Sequence, residues 1–423
     1  MMPSVQPRGS ILMLTQDRDI DRRILLEADA LREDGWSVTI VAMPSDDETC
    51  SDPANAMRVR QRPRGASRAR AVMRGYKMCR RVFPMNSAPM RWLKAVAWSA
   101  IANPETFYLR LFKESIEGMR PDIVIAHDVP MLPVGEWVAR KVGARLVFDS
   151  HELWCEQRFP KIWRSTWRRV EAAHIGSCDA VITVNQSIAD ELERRYGVAK
   201  VHVISNATIE SATVPTAGSH SLRDVCGILD THRILLYQGN LTEGRQLEEC
   251  VRAMARVRDK TIHLVFMGSG SLRGRLERRV TQLLLASHVH FVDAVPQLQL
   301  VAWTMSADAG IIPYVETCLN NRLCTPNKLY EFIAAGLPIL ASDLPELRIM
   351  VHDNSFGIVA QMSGPEQIAR AIDAFFSDPI QLAGWRKSVS QGRSRYRWDI
   401  QAEHLRSIIR DVAASARTNE IAR

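Results

Sequence analysis

Residues 10–43 have the sequence SILMLTQDRDIDRRILLEADALREDGWSVTIVAM. Residues 10–15 are an apolar run typical of a buried strand, and residues 37–43 are a second one. The apolar positions between them have the spacing of an amphipathic helix that ends at Gly35: Ile20, Ile24, Ala28 and Leu31. A strand, a crossover helix and a second strand form the repeating unit of parallel sheets covered by helices. This stretch therefore predicts an α/β fold.

The same alternation of apolar runs and helical patterns continues along the chain in two series. The first series predicts further strands at residues 122–126, 145–149, 179–184 and 201–204. The second predicts strands at residues 234–238, 262–267, 289–292, 309–313, 338–341 and 357–360. This pattern predicts two doubly wound α/β domains with a cleft between them. Ligands of such sheets bind beyond the carboxyl ends of the strands.

The domain boundaries are predicted from the stretch between the two series. Residues 208–231 are rich in Ser, Thr, Ala, Pro and Gly and have few apolar residues at a regular period, which is typical of an interdomain linker. We expect an N-terminal domain over residues 1–208, a linker over 209–231, a C-terminal domain over 232–395, and a final helix and tail over 396–423. The last helix is predicted over about residues 399–414, with Asp399 as its N-cap.

The composition is that of a globular protein. Of the 423 residues, 46% are hydrophobic and 24% are charged, which excludes a disordered or collagen-like chain. The eight cysteines show no CxxC pair and no zinc-like spacing, so reduced thiols are expected. The chain contains no run of about 18 apolar residues, and its first eight residues lack the apolar core of a signal peptide. We therefore expect a cytoplasmic protein without a membrane-spanning helix.

The formal net charge of +8 is concentrated in one basic insertion. Residues 53–104 contain twelve of the 55 Lys and Arg and none of the 47 Asp and Glu, so the rest of the chain is slightly acidic. One predicted partner of residues 58–98 is an anionic membrane surface, where each basic residue contributes roughly 1 kcal/mol and where Trp92 and Trp98 suit the interface. A solvated loop fits the charge equally well. The absence of a stacking platform or a groove-reading helix argues against nucleic acid.

Residues 325–332, TPNKLYEF, follow a predicted strand of the second series and begin a helix. Thr325 is the expected N-cap and Pro326 the first helical residue. The backbone N–H groups that then point outward, at the positive end of the helix dipole, belong to Asn327, Lys328 and Leu329. Together with the charge of Lys328 they predict a diphosphate site, and Glu331 can accept hydrogen bonds from a ribose diol. An ordinary capped helix with a surface glutamate fits the same octapeptide.

Polar residues also follow four strands of the first series. They are Asp17, Arg18, Asp21, Arg22 and Arg23; His127 and Asp128; Asp149, His151 and Glu152; and Asn185 and Gln186. Because the carboxyl ends of parallel strands share one edge of a sheet, these are candidate site residues, although a single residue of this kind is equally a cap or a turn residue. The acids at positions 17, 19 and 21 do not begin a calcium loop, because Arg22 and Ala28 stand where Gly and Glu are required.

The turn Gly268-Ser269-Gly270-Ser271 after a predicted strand is similar to a dinucleotide-binding fingerprint but does not complete it. The third glycine, Gly274, comes one residue too late, and no acid ends the following strand. A nicotinamide-dependent dehydrogenase is therefore not expected. The turn fits either the lining of a nucleotide site or a purely structural link.

Four segments together resemble one family. The most specific is residues 326–338, PNKLYEFIAAGLP, and it is accompanied by residues 237–245, 127–130 and 149–153. They are similar to the donor-site motif and neighbouring loops of the family 4 glycosyltransferases, which have the GT-B fold. The resemblance covers most of both predicted domains. It implies two Rossmann-like domains, a C-terminal helix that crosses back to the first domain, and transfer of a sugar from a nucleotide diphosphate sugar with retention of configuration.

The resemblance and the positions of polar residues and glycines after strands together predict three groups of site residues. The residues expected to take part in catalysis are His127, Arg245 and Lys328. The residues expected to bind the donor are Gly239, Asn240, Gly268, Asn327, Leu329 and Glu331. The residues expected on the acceptor side are Arg18, Asp128 and Glu152. Within these groups Glu331 is expected to hold the ribose and His127 to contact the donor sugar, while Arg245 and Lys328 stabilise the charge that develops on the departing diphosphate.

The family pattern leaves the substrates open. The acceptor is expected to be a saccharide or a lipid-linked molecule, with neither a cofactor nor a metal ion required. Two positions depart from the pattern, because Asn240 stands where an arginine is usual and Leu323 where the first glutamate of an E-x7-E pair is usual. Two other functions fit the sequence. One is a nucleotide-sugar epimerase or hydrolase of the GT-B fold, and the other is a non-catalytic protein that binds a nucleotide-sugar.

Overall fold

The computed structural model of the protein describes residues 8–45, 56–59, 104–209 and 221–421. They fall into two units. Unit 1 takes the described residues of Met1–Ile204 and Ala402–Arg423, and unit 2 is Ser205–Gln401. The helix Leu222–Cys226 lies within the stretch predicted to be a linker. A capping box between Ser221 and Asp224 starts this short helix.

Unit 1 is built on a parallel sheet whose strands are almost entirely buried. Its strands are β1 (Ser10–Thr15), β2 (Ser37–Ala42), β3 (Ala56–Arg58), β4 (Ile123–His127), β5 (Arg145–Ser150), β6 (Ala180–Thr183) and β7 (Val201–Val203). Their order is β3-β2-β1-β4-β5-β6-β7. Strands β2 and β3 are added on one side of β1, and the strands from β4 onward are added on the other side. This change between β1 and β4 defines a doubly wound sheet. All predicted strands of the first series are present. The short β3, inside the basic insertion, was not predicted.

Helices connect these strands as the apolar spacing predicted. They are α1 (Arg22–Glu33), α2 (Pro104–Ile116), α3 (Asp128–Val142), α4 (Lys161–His174) and α5 (Gln186–Tyr196). Short 3-10 turns form at Trp154–Glu156 and Ile175–Ser177. The start of α1 is fixed by Asp21, whose carboxylate accepts a hydrogen bond from the Arg23 N–H at 2.7 Å.

Unit 2 repeats the architecture. Its strands are β8 (Arg233–Gln238), β9 (Ile262–Met267), β10 (Val289–Val292), β11 (Ala309–Ile312), β12 (Ile339–Ser342) and β13 (Gly357–Ala360), in the order β10-β9-β8-β11-β12-β13. Its helices are α6 (Leu222–Cys226), α7 (Leu247–Met254), α8 (Arg273–Gln282), α9 (Gln297–Thr304), α10 (Leu319–Arg322), α11 (Asn327–Ala334), α12 (Pro345–Leu347), α13 (Pro365–Phe376) and α14 (Pro379–Gly392). A π-helical turn at Arg348–His352 and a 3-10 turn at Arg393–Tyr396 complete the unit.

The last helix, α15 (Trp398–Ile421), begins in unit 2 and belongs to unit 1 from Ala402 onward. Arg406 ties it to α1, because Nη2 lies 2.6 Å from the Glu33 carboxylate and Nε donates to the Ala30 carbonyl at 3.0 Å. The predicted crossing of the C-terminal helix is thereby confirmed. The helix starts at Trp398, so the predicted N-cap Asp399 lies inside its first turn.

Among the described residues, no helix is long and apolar enough to cross a membrane. Most of the basic insertion, residues 60–103, lies outside the described residues, and with it the predicted membrane-binding surface. The described residues 56–59 include Arg58, which donates hydrogen bonds to the carbonyls of Arg18 and Met43 at 2.6 and 2.8 Å.

Candidate functional site

Two glycine-containing loops follow β8 and β9 in unit 2, and their backbones touch. Gly239 has a φ of 105° and Gly268 one of 147°, both in the region that favours glycine. A Cβ on Gly268 would lie 2.1 Å from the Gly239 carbonyl oxygen. The Leu241 N–H also donates to the Ser269 carbonyl at 2.8 Å. Gly268 therefore packs the two loops together, and its part in donor binding stays a prediction.

Helix α11 begins after Pro326, which is its N-cap, rather than after Thr325 as predicted. Proline has no side-chain group that can cap a helix, and none does so here. The Leu329 N–H donates to the Pro326 carbonyl at 2.9 Å, and the Leu329 side chain is fully buried in the core. The prediction of an outward Leu329 amide is therefore wrong. The exposed Asn327 and the N–H groups of Asn327 and Lys328 remain at the start of the helix.

Lys328 is buried to 7% exposure and lies against aromatic rings. Its Nζ is 3.7 Å from the ring centroid of Tyr237 and 5.4 Å from that of Tyr314. The ammonium group also sits beside the backbone of the β8 loop, where a Cβ on Gly239 would lie 3.6 Å from Nζ. Burial, and then the positive charge of Arg245, lower the pKa of Lys328 to about 7.

Arg245 is the second cation of this group. Its Cζ stacks 4.0 Å above the ring centroid of Tyr314, the ring that Lys328 also approaches. Two positive side chains thus face one aromatic ring at the carboxyl end of β8. The positive charge of Arg245 lowers the pKa of Lys328, so the arrangement favours an anion that binds both.

Glu331, one turn after Lys328, is 8% exposed and held by Gln238. The Gln238 Nε2 donates to Glu331 Oε2 at 2.6 Å, and Gln238 Oε1 lies 2.8 Å from the Thr304 hydroxyl. The glutamine thereby orients the carboxylate. Sequence reasoning missed Gln238. A polar residue at the end of an otherwise apolar strand was the available signal.

The two positions that depart from the family pattern lie at the edges of this group. Asn240 is exposed, and its carbonyl accepts a hydrogen bond from the Tyr237 hydroxyl at 3.1 Å. Leu323 ends α10 and is half-buried. Neither side chain brings a charge, so Lys328 and Arg245 carry the positive charge of the group.

In unit 1 the carboxyl ends of β4 and β5 meet at Asp149, which is fully buried. Asp149 Oδ2 lies 3.2 Å from His127 Nδ1 and 2.9 Å from His151 Nε2, and Oδ1 lies 3.1 Å from Arg23 Nη2. Burial alone would raise the pKa of Asp149, but Arg23 and His151 hold it well below its usual value. Asp149 is thus a buried charged carboxylate that holds Arg23, His127 and His151 together. This role was not predicted from the sequence.

The two histidines differ in charge. Burial opposes protonation of His151, yet Asp149 and Asp128 outweigh it and raise its pKa to about 10. Burial lowers the pKa of His127, whose Nε2 is buried without a hydrogen-bond partner among the described residues. The structure therefore places a neutral imidazole with one unsatisfied nitrogen beside a charged one.

Asp128 starts α3 with a φ of 59°, an unusual conformation for a residue with a side chain. Its Oδ1 accepts the His151 N–H at 3.0 Å, and burial raises its pKa to about 7. The carboxyl group predicted on the acceptor side thus also holds the loop that carries His151.

Glu27 joins the same cluster from the buried face of α1. Its Oε1 lies 2.8 Å from Arg23 Nε, and burial followed by repulsion from Asp149 raises its pKa to about 8. Glu27 was not predicted. A glutamate and an arginine four residues apart, on the helix face that carries Ile24 and Leu31, were the signal.

The other two predicted acceptor-side residues lie on loops. Arg18 is exposed after β1, and its carbonyl accepts the hydrogen bond from Arg58. Glu152 is half-buried after β5 and accepts a hydrogen bond from Gln157. Their part in acceptor binding stays a prediction.

Among the described residues, one cluster has the donor atoms of a metal site: His127, Asp149 and His151 lie within 4.8 Å of one another. The three side chains already pair at hydrogen-bond distances. Arg23 also places a guanidinium on the Asp149 carboxylate, and its positive charge opposes a cation there.

Comparisons with known proteins cover both units. Residues 20–209 match the family described as Glycosyltransferase Family 4, and residues 232–378 match Glycosyl transferases group 1. The chain is 27% identical over 234 residues to an uncharacterised glycosyltransferase of Methanocaldococcus jannaschii, a match to 53% of this chain and 57% of the relative. It spans little more than half the length of the first curated relatives it matches.

Solved structures share the whole fold. The sucrose-phosphate synthase of Thermosynechococcus elongatus superposes with a TM-score of 0.72 at 18% identity, covering 96% of this chain and all of that one. HepE of Anabaena, solved with UDP-glucose, superposes with a TM-score of 0.68 at 14% identity over 95% of this chain and 100% of its own. The predicted two-domain GT-B architecture is confirmed by this likeness.

Proposed function

This chain belongs to the family 4 glycosyltransferases, and from that premise we propose that it transfers a sugar from a nucleotide diphosphate sugar to a hydroxyl group of an acceptor. One observation carries the proposal. Lys328 and Arg245 converge on the ring of Tyr314 at the start of α11, where two like charges call for an anion. A diphosphate supplies the matching negative charge.

Each donor contact follows from the position of a side chain. Lys328 and Arg245 bind the diphosphate and stabilise the charge that develops as the bond between the sugar and the phosphate breaks. Glu331, oriented by Gln238, accepts hydrogen bonds from the ribose hydroxyls. Leu323 places no charge next to the sugar, so the contacts that select the sugar come from other residues.

We propose that the reaction retains the configuration of the sugar, as the family resemblance implies. The bond between the anomeric carbon and the leaving phosphate oxygen breaks, the acceptor oxygen bonds to the same face, and its proton passes to that phosphate oxygen. In unit 1, the unsatisfied Nε2 of His127 supports a hydrogen bond with a hydroxyl of the donor sugar. Arg18, Asp128 and Glu152 are proposed to bind a saccharide or lipid-linked acceptor.

We propose that transfer needs no metal ion. Lys328 and Arg245 supply two positive charges where a divalent ion would otherwise neutralise the diphosphate. A chelator is expected to leave the rate of transfer unchanged. Activity that disappeared with the chelator and returned with manganese would contradict this part of the proposal.

The function is tested by measuring release of nucleoside diphosphate from a panel of nucleotide-sugars, with and without candidate acceptors. UDP-sugars come first because HepE was solved with UDP-glucose. Acceptor-dependent release is expected for the native chain and its loss for Lys328→Ala and Glu331→Ala. Glu316→Ala is the matched control, since Glu316 is exposed and its only ion pair in the described part of the chain is with Arg322 at 3.5 Å. Full activity of either site variant would refute the donor-site assignment.

A further inference from the structure

A second concave site lies in unit 2, at the edge of the sheet opposite to the donor loops. The lining of its cavity of about 520 Å³ includes four charged residues, Arg223, Arg233, Asp308 and Arg386, and the apolar residues Met305 and Leu382. Small-molecule sites have volumes of about 300–1,000 Å³. The cavity is therefore large enough for a small ligand.

The position of the cavity follows from the strand direction. Arg233 is the first residue of β8 and Asp308 directly precedes β11, so both lie at the amino ends of parallel strands. Gly239 and its loop follow the carboxyl end of β8. A six-residue strand is about 20 Å long. The cavity is thus separate from the site formed by Lys328 and Arg245.

Three guanidinium groups contact Asp308 in this cavity, two at its carboxylate and one at its backbone carbonyl. Arg223 Nη2 lies 2.6 Å from Asp308 Oδ2, and Arg233 Nη1 lies 3.8 Å from Asp308 Oδ1. Arg386 Nη2 donates to the backbone carbonyl of Asp308 at 2.8 Å. The lining residues therefore carry two more positive than negative charges.

Most of the donors on two of these arginines are available. A guanidinium has five N–H donors. In the described part of the chain, Arg386 uses one of them, on the Asp308 carbonyl, and Arg233 makes only the long ion pair with Asp308. Arg223 has fewer donors available for a ligand, since its Nη1 also donates to the carbonyls of Leu229 and His232. Arg386 is half-buried, and burial lowers its pKa below the usual value.

We propose that this cavity binds a phosphomonoester, with Arg233 and Arg386 on the phosphate and the apolar lining residues Met305 and Leu382 against the rest of the ligand. A dianion balances the two excess charges of the lining. Guanidinium groups recognise tetrahedral phosphate oxygens with paired hydrogen bonds. The ligand binds in addition to the nucleotide-sugar, because the cavity contains no donor-site residue.

The test uses the full chain with Lys328→Ala, which removes one of the two cations of the donor site and leaves Arg245, so phosphate binding is assigned to the cavity only where it depends on Arg233 or Arg386. Titration calorimetry with inorganic phosphate and with glycerol 3-phosphate is expected to show binding, and glycerol none. Adding Arg233→Ala or Arg386→Ala should weaken binding by at least about tenfold, the value of a charge-assisted hydrogen bond. Arg278→Ala, which removes an exposed arginine of α8, should leave binding unchanged.

Arg233 is the safer of the two substitutions, because its side chain is 44% exposed and removing it breaks only the 3.8 Å ion pair. Vesicles of phosphatidic acid in phosphatidylcholine distinguish the sources of the phosphomonoester. Retention on them that depends on the same arginines assigns it to a lipid, and binding of glycerol 3-phosphate without retention assigns it to a soluble molecule. The proposal is overturned if neither phosphate probe binds, or if binding survives both arginine substitutions.

Discussion

Lys328 shows how the site is prepared for its ligand. Its ammonium group is buried against Tyr237 and lies close enough to Arg245 for their charges to repel, so the free protein holds it in an unfavourable environment. A bound diphosphate would relieve the repulsion and restore the charge. The binding free energy of the anion therefore includes the protonation of this lysine.

The binding of nucleoside diphosphate should depend on pH through Lys328. Its pKa of about 7 in the free protein means that the amine is neutral above that pH, whereas the bound anion favours the charged form. The affinity is expected to fall by up to about tenfold per pH unit between pH 7 and 9. Calorimetry at several pH values measures the slope. Lys328→Arg, which stays charged, should remove it. An unchanged slope in that variant would contradict this account.

At the residue scale, the sequence alone was enough to identify candidate side chains that belong to a local motif. Lys328 and Glu331 are in one octapeptide, and Arg245 is in the loop after a strand. The partners that fix them come from distant positions. Gln238 is 93 residues from Glu331, and Arg23 is 126 residues from Asp149. Such pairs become visible only once the sheet brings its strand ends together.

At the scale of elements, the β8 and β9 loops depend on their close backbone contact. Replacing Gly268 by alanine would force a Cβ to within 2.1 Å of the Gly239 carbonyl, at a φ that alanine rarely adopts. The cost is expected to be about 2 kcal/mol or more. Thermal melting should show a decrease of about 5 °C. Gly384→Ala is the control, because its helical site is open and alanine favours the helix. Equal melting of Gly268→Ala and the native chain would contradict the packing role.

A row of imidazoles joins β8, β9 and β10 near their amino ends. His232 Nδ1 lies 2.8 Å from His263 Nε2, and His263 Nδ1 lies 3.0 Å from His290 Nε2. His288 stacks on His263 at 5.5 Å between ring centroids. A neutral His263 can donate to one neighbour and accept from the other. Burial and the surrounding positive charges, including Arg223, lower the pKa of His263 to about 4.

This row should make the stability of the protein sensitive to acid. The pKa of His263 is lower in the folded chain than its ordinary value of about 6.5. The contribution of neutral His263 to the free energy of unfolding is therefore complete above pH 6.5 and is lost as the pH falls towards 4. Melting temperatures at pH 7 and pH 5 measure the effect. His263→Phe should reduce the difference, whereas the exposed control His352→Asn should not. The same difference in native chain and His263→Phe would exclude the row as its cause.

Apolar periodicity was enough to predict nearly every strand, because buried parallel strands are short continuous apolar runs. It failed for β3, which is only three residues long, and for α6, which is only five residues long. The cap of α11 was misplaced by one residue, since a threonine before a proline has the composition of an N-cap whether or not it serves as one. The predicted boundaries therefore differ from the observed ones where two neighbouring residues are both compatible with the start of a helix.

At the scale of the whole molecule, each unit carries its own cluster of charged groups at the carboxyl edge of its sheet. In unit 1, Arg23 and His151 both contact the buried carboxylate of Asp149. Unit 2 gathers Lys328, Arg245 and Glu331 around an aromatic pair. The surplus of positive charge in the chain belongs to neither, because it lies in residues 53–104. The donor site that we propose uses only two of the 55 basic residues, Lys328 and Arg245.

The binding of UDP and GDP to the full chain, followed by titration calorimetry, tests the donor site most directly. We predict that one of the two nucleotides binds with one equivalent per chain, at least about tenfold more weakly to Glu331→Ala and equally well to Glu316→Ala. If neither nucleotide binds, or if Glu331→Ala binds as tightly as the native chain, the account of a nucleotide-sugar site at the start of α11 is wrong.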